Sequence, residues 1–397
     1  MIINRNGYGS NFNILKIVGD KIVKCSFNIY GKEKLMNESK FYEYVVNKNN
    51  GFCDYIPIIY EFISVNDEDL QQCSQQALLA PNTVTQENTT RIEMEYLKDY
   101  TPLYLSYSNF CPEKRKTCLK TIMNHLQHIH NIRIPIERHV FEHDLFMETI
   151  QKIETRIKNV LPLIQKVPYK NITHIQNNIT GNTVNIRTLD EIKSVIKQNV
   201  DFYLNDEATK YEYGIIHGDC QFNNILINKN DELKFIDPRG YYGSTQLYGL
   251  IEYDIAKICF ALSGYDTFDN SSSVDVTDLR SVKSTDDRGL YVTKGDVKPT
   301  HIGVFTGESF AFGGKSPNVE GRSQETFEKI IISSSTHTIQ VDIELCDDTY
   351  IQTQSTIVKT LLCAIWLSNS HIFTEDEPKC ITSYFIAMYM CSHYLFD

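Results

Sequence analysis

The segment from Tyr213 to Gly240 constrains this chain more than any other stretch. It holds two β-type apolar runs, Ile225–Ile227 and Leu233–Ile236, on either side of the polar turn Asn228-Lys229-Asn230-Asp231. Short apolar runs bounded by turn residues predict a hairpin. His217-Gly218-Asp219 leads into it and Asp237-Pro238-Arg239-Gly240 leads out. Asn224 stands five positions after Asp219, and Asp237 thirteen after Asn224. Folded as a hairpin, the segment sets a loop Asp, a loop Asn and a strand-end Asp along one edge. Phosphoryl transfer needs such a set: one carboxylate takes the proton of the acceptor hydroxyl, while an amide and a second carboxylate hold magnesium on the nucleotide phosphates. The plainer alternative, a polar loop around a hairpin, suits any one of these residues alone better than it suits the ordered set.

These residues resemble the signature of the aminoglycoside phosphotransferase and choline kinase superfamily of small-molecule kinases, relatives of protein kinases. That signature is His-Gly-Asp, four residues, Asn, then Ile-Asp, and it stands here as His217, Gly218, Asp219, Asn224, Ile236 and Asp237. The resemblance implies that Asp219 is the catalytic base, that Asn224 and Asp237 are Mg²⁺ ligands, and that His217 braces the loop. Glu252-Tyr253-Asp254-Ile255-Ala256 resembles the downstream Asp-x-Ala element, whose Asp anchors the catalytic loop through backbone N–H groups. Asp254 is therefore a candidate support, with a solvated Asp at a helix start as the alternative; Arg239 is a second candidate support.

The same resemblance asks for a lysine on an early strand and a glutamate on the next helix. Lys24 and Glu38 fit, with Lys21, Glu33 and Glu43 as alternatives. An ammonium there pairs the α- and β-phosphates and is held by the carboxylate. Gly9 and Ser10, in Asn6-Gly7-Tyr8-Gly9-Ser10, would cover the phosphates, although a plain turn explains them as well. Met94-Glu95-Tyr96-Leu97 looks like the hinge, with Glu95 and Leu97 where backbone groups meet the adenine. The implied cofactors are ATP and Mg²⁺, and the implied partner is a small molecule with a hydroxyl: a sugar, a polyol or an amino alcohol. Some relatives with an Ile-Asp-Pro-Arg-Gly segment like Ile236–Gly240 belong to surface-polysaccharide pathways, an association that points to a sugar. Glu375-Asp376-Glu377 reads as a solvated turn before Pro378 rather than a cation site, which favours a neutral sugar or polyol over an amine.

Periodicity along the chain predicts a two-lobed, protein-kinase-like α+β fold. Ile14–Val18 and Ile22–Cys25, split by Gly19-Asp20, read as a strand hairpin; Leu35–Val46 reads as a helix and Arg91–Leu97 as a strand. Asp67 to Thr90 is polar and reads as an exposed loop. From Pro112 the period changes to about 3.6, with helical faces at Leu119–Ile129, Phe146–Val160, after the capping box Thr188–Glu191, and in two late helices around Ile357–Ala364 and Ile381–Met388. We expect a nucleotide-binding lobe over 1–98 and a helical catalytic lobe over 99–397, with an insertion at about 271–325 carrying short alternating runs such as Leu290-Tyr291-Val292.

Composition narrows the partners. Among 397 residues, 39 are basic and 50 acidic, a net charge of −11 that argues against nucleic acid. The eleven cysteines form no Cys-x-x-Cys pair, so reduced thiols in a cytoplasmic compartment are expected rather than disulfides or a Cys-rich zinc module. No signal-peptide pattern is read at the N-terminus, and the longest apolar run, Leu361–Leu367, is too short to span a membrane. Three other functions compete: a nucleotide-binding pseudokinase, a protein Ser/Thr kinase-like enzyme, and a zinc hydrolase. The last rests on His139-Val140-Phe141-Glu142-His143, which matches an inverted zinc-peptidase pattern. The spacing of His125, His128 and His130 does not converge on one ion, so exposed helix residues are expected, and Gly313-Gly314-Lys315-Ser316 lacks the first glycine of a phosphate loop.

Overall fold

The computed structural model describes residues 2–3, 13–26, 28–48, 51–65, 89–167, 172–177, 179–270, 274–278, 328–333, 338–341 and 345–396. The N-terminal part is an antiparallel five-stranded sheet. It comprises β1 (Ile2–Ile3), β2 (Asn13–Val18), β3 (Lys21–Ser26), β4 (Ile59–Ile63) and β5 (Thr90–Glu95), in the order β1-β2-β3-β5-β4. β2 and β3 turn at Gly19, whose φ of 65° is the left-handed conformation a tight hairpin asks of a glycine. Helix α1 (Ile29–Lys48) lies on this sheet through Leu35, which meets Ile92 and Met94 in a small apolar cluster. About two turns further on, Phe41, Tyr42 and Val45 of the same helix belong to the large core of the C-terminal part. α1 therefore bonds the two layers, and it carries Glu38 on the buried face between them.

The C-terminal part is mostly helical. α2 (Pro112–His130) has proline at its first helical position, where no N–H is required. α3 (Arg138–Phe146), α4 (Lys152–Ile164) and α5 (Leu189–Asn205) follow, α5 starting at the Thr188/Glu191 capping box that the sequence predicts. The single helix expected across Phe146–Val160 is interrupted: Met147–Gln151 forms a π-turn between α3 and α4. No Gly or Pro lies in 146–151 to signal it. The wider turn changes which side chains face inward, so Glu148 is buried and Lys152 and Arg156, one helical turn apart, face the interlobe cleft.

At the centre, α6 (Ile251–Leu262) packs against α8 (Thr356–Asn369), with α9 (Glu377–Phe396) on its other side. The short helix α7 (Tyr265–Asn270) continues from α6. Trp366 is fully buried here against Phe260 and Tyr265 and donates to Ser263 Oγ at 2.8 Å. The window Thr356–Phe373 has the length and mean hydropathy (1.2) of a membrane span, which the search for one unbroken apolar run overlooks; 78% of it is buried inside the fold, as befits a core helix.

Part of the expected insertion pairs into a sheet. After the short strands β6 (Tyr100–Pro102) and β7 (Arg133–Pro135), β8 (His174–Asn177) and β9 (Thr183–Asn185) join strands at Val274–Asp278, Glu328–Ser333 and Thr338–Val341, the first two of these running parallel. Leu290–Val292 lies outside the described residues, as does most of the loop expected over 67–90. The architecture is the expected α+β arrangement, a small β-rich N-terminal part followed by a larger helical part.

Candidate active site

The site grows from the predicted hairpin. β10 (Glu212–Ile215) delivers the His217–Asp219 loop, and β11 (Ile225–Asn228) pairs antiparallel with β12 (Leu233–Phe235). That register sets Ile225 against Phe235, and the Ile236 N–H reaches the Asn224 carbonyl at 3.0 Å. Asn224 and Asp237 therefore leave the hairpin side by side. Asp237 has a φ of 57°, a left-handed conformation that Asp tolerates better than most residues.

Lys24 of β3 reaches across from the N-terminal sheet. Its Nζ lies 2.7 Å from Glu38 Oε2 and 2.8 Å from Asp237 Oδ1, so one ammonium ties β3, α1 and the hairpin together. Burial opposes its charge, but the two carboxylates outweigh it and hold Lys24 above the ordinary lysine range. Burial pushes Glu38 up to about 7, against the pull of Lys24, because Asp237 shares the same ammonium. The alternatives lie elsewhere: Lys21 pairs with Glu93, and Glu33 and Glu43 are exposed on α1.

Asp219 is held from two sides. Asn224 Nδ2 donates to its main-chain oxygen at 2.9 Å and to Oδ2 at 3.0 Å; Lys257 Nζ pairs with Oδ1 at 2.8 Å. Burial works against ionisation of Asp219, but the Lys257 ammonium prevails and keeps the carboxyl below its usual range. The side chain still has 32% of its surface open, as a base that must meet a substrate requires. His217 is fully buried between Phe41 and Phe235, and its Nδ1 accepts the Asp219 N–H at 3.3 Å. Burial lowers its basicity and keeps the ring neutral. Gly218 has a φ of 76°, and a Cβ there would fall 2.9 Å from Arg239 Cβ, so the loop needs glycine.

Asp254 is a buried anchor and not the solvated helix-start residue. Its Oδ1 accepts the Gly218 N–H at 2.7 Å; its Oδ2 accepts the His217 N–H and faces His130 Nε2, both at 2.9 Å. Arg239 donates two bonds to Glu148, which Lys152 also reaches at 2.8 Å, and the Arg239 N–H returns to the His217 carbonyl. Asp266 of α7 accepts the N–H groups of Phe222 and Asn223 and completes the support of the loop.

Two cavities meet at Lys24 and Asp237. The larger, about 360 Å³, opens onto Asp219, Asn224, Arg239 and Lys257. The smaller, about 50 Å³, is a mostly apolar slot bounded by Leu15, Ile22, Met94, Leu97 and Leu226, with Glu95 on its rim. Among the described residues, the Leu97 N–H has no protein acceptor. Gly9 and Ser10 lie outside the described residues.

Sequence reading missed Lys257, Glu148 and Asp266, and it expected His125 and His130 to be exposed, whereas His125 is half-buried on Tyr55 and His130 is buried against Asp254. Lys257 had a signal: it follows Asp254 by three on α6, hence on the same helix face, turned toward the same loop. Glu148 had none, because the π-turn that buries it is unmarked. The zinc pattern does not assemble. His139 and His143 are exposed on α3, Glu142 pairs with Arg138, and among the described residues no three His, Cys, Asp or Glu side chains gather to hold a metal.

No family model and no curated protein matches the chain. Among solved structures it is similar to the ternary complex of streptomycin, ATP and aminoglycoside phosphotransferase APH(2")-IIa, at 15% identity over 64% of this chain and 69% of that one, with a TM-score of 0.37. It is likewise similar to the gentamicin complex of APH(2")-IIa, at 16% identity over 62% of this chain and 67% of that one, again with a TM-score of 0.37.

Proposed function

We propose that this protein transfers the γ-phosphoryl group of ATP to a hydroxyl of a small molecule. The observation that carries the reading is the convergence at one cleft of Lys24–Glu38 from the N-terminal part and Asp219, Asn224 and Asp237 from the hairpin, Lys24 and Asp237 lying 213 residues apart in the chain. The apolar slot suits a flat base, with Glu95 and Leu97 in its lining. Phosphates leaving that slot meet Lys24, whose ammonium is already held in place by Glu38. In this reading residues 1–98 bind the nucleotide and 99–397 supply catalysis and the acceptor site.

Asn224 and Asp237 fit Mg²⁺. Because Asn224 Nδ2 is committed to Asp219, its amide oxygen turns the other way, and Asp237 keeps 33% of its side chain open. An amide oxygen and a carboxylate form a hard donor set, which suits Mg²⁺ completed by water and phosphate oxygens. When bound, the ion would neutralise charge on the phosphates. Asp219 orients the acceptor hydroxyl and takes its proton as the oxygen attacks the γ-phosphorus; the bond to the bridging oxygen breaks and ADP departs. Lys257 keeps Asp219 ionised and puts a positive charge beside the transferring group.

The test separates chemistry from binding. Asp219→Asn keeps shape and removes the proton acceptor, so ADP formation with a panel of sugars, polyols and amino alcohols should fall at least about 100-fold. Nucleotide affinity should stay within a few-fold, whereas Lys24→Met should weaken it. A wild-type rate no higher than that of Asp219→Asn with every acceptor would leave a nucleotide-binding module without transfer.

A further inference from the structure

We propose that the acceptor carries an anionic group, a carboxylate or a phosphate, held by Arg156 beside Lys152. This rests on the phosphotransferase reading and names the class of its acceptor.

The half of the large cleft beyond Asp219 is basic, although the chain as a whole is acidic at −11. Four cations line it: Lys152, Arg156, Arg239 and Lys257. Three of them are committed, Lys257 to Asp219 and both Lys152 and Arg239 to the single carboxylate of Glu148. With Asp219, Glu148 and Asp269, three carboxylates stand at this wall against four cations, and of the four Arg156 alone has no ion pair among the described residues. Among the described residues, no carboxylate lies within ion-pair distance of it and its guanidinium has no hydrogen-bond partner. Arg156 is half-buried at the cleft wall; burial disfavours its charge and the Arg239 guanidinium adds repulsion, only partly offset by the more distant Glu148 carboxylate. A cation left unpaired in a lowered dielectric and open to a cavity is a site for an anion, and a guanidinium fork fits a carboxylate or phosphate.

A second feature belongs to the same wall. Asp269 of α7 lines the cleft with Oδ1 buried and, among the described residues, without a hydrogen-bond partner. Its opposite number, Lys379, bonds instead to the Asp269 main-chain oxygen at 2.7 Å. The Asp269 carboxyl group stands near Asp219 on the wall that a neighbouring hydroxyl of the acceptor would face. Hydroxyls at one end and a negative group at the other describe an acidic or phosphorylated sugar or polyol. An amine acceptor would have to enter among four cations.

The experiment starts from wild-type protein saturated with Mg²⁺ and a non-hydrolysable ATP analogue, followed by calorimetric titration with sulfate, glucuronate, glucose 6-phosphate, glucose and glucosamine. The anions should bind at least about tenfold more tightly than glucose or glucosamine, the difference one charge-assisted bidentate contact supplies. Comparing glucuronate with glucose 6-phosphate tells carboxylate from phosphate. Arg156→Met should abolish the preference, Arg156→Lys should restore part of it, and both should keep the wild-type unfolding midpoint and, within a few-fold, its affinity for the analogue. Glucose or glucosamine binding as tightly as the anions, no anion binding, or an unchanged preference in Arg156→Met would each overturn the proposal. So would an equal loss of analogue affinity in Arg156→Met, which would assign the arginine to the nucleotide. Failure of the phosphotransferase reading shows separately, as wild-type protein that does not bind the analogue before any sugar is added.

Discussion

Replacing Asp254 by Asn tests how the catalytic loop is held, because the side chain keeps its size and loses only a charge and one acceptor. Asp254 is fully buried and accepts three hydrogen bonds, one at Oδ1 from Gly218 and two at Oδ2 from His217 and His130. An amide has one oxygen. If that oxygen keeps the Oδ2 position, the new NH₂ group faces the Gly218 N–H, and one buried donor is left opposite another. A hydrogen bond to a charged group contributes about 1.5–3 kcal/mol, and a stranded buried donor costs about 1–3 kcal/mol. These overlap, so a loss of roughly 2–4 kcal/mol in unfolding free energy is expected. The opposite placement strands two donors and costs more. Trp366 is the only tryptophan and is buried beside α6, so its fluorescence in a urea titration reads the change directly. The pH dependence has a defined sign. Burial would raise Asp254, but His130 and the backbone donors hold its carboxyl below the usual range. Its stabilisation is therefore present above the unfolded value of about 4 and is lost as pH falls through the depressed folded value. The gap between wild type and Asp254→Asn should be constant near neutrality and shrink in acid. A variant within about 0.5 kcal/mol of wild type at pH 7 would refute the buried-anchor reasoning.

Gly240→Ala should destabilise by at least about 2 kcal/mol and weaken nucleotide binding. The residue has a φ of 68°, and a Cβ there would stand 2.3 Å from the Asn37 carbonyl oxygen, pushing away the turn of α1 that carries Glu38. Thermal unfolding and calorimetry with the ATP analogue check both parts. His125 stacks on Tyr55 at 3.6 Å, and burial, with His128 nearby, lowers it to about 4. The unfolded chain binds a proton near 6.5 that the folded chain refuses, so stability falls between about pH 6.5 and 4. His125→Phe should keep the stacking and flatten that dependence in melts at pH 7 and pH 5; an unchanged slope would contradict it.

What could be read in the sequence was set locally. The hairpin that aligns Asn224 with Asp237 follows from two apolar runs and a turn, and the capping box of α5 from four adjacent residues. Lys24 and Glu38 were singled out through resemblance, and the structure brings them within 2.7 Å. The resemblance also gave Asp254 as an anchor, whereas its burial and its bond to His130, 124 residues away, depend on how α2 and α6 cross. Charge networks were the least legible. Glu148 gathers Lys152 and Arg239 only because a π-turn rotates it inward, and no proline or glycine announces that turn. Arg156 carries no signal in the sequence, because its place in the cleft wall depends on the same π-turn and on how α4, α6 and the segment at Tyr241 come together.

The most direct test of the phosphotransferase reading is calorimetric titration of the wild-type protein with a non-hydrolysable ATP analogue, once with Mg²⁺ and once with EDTA. Lys24 at the meeting point of the two cavities and the hard donor pair Asn224 and Asp237 predict saturable one-to-one binding with Mg²⁺, weakened at least about tenfold by EDTA and likewise by Asp237→Ala. Equal affinity with and without the metal, or no binding at all, would contradict it.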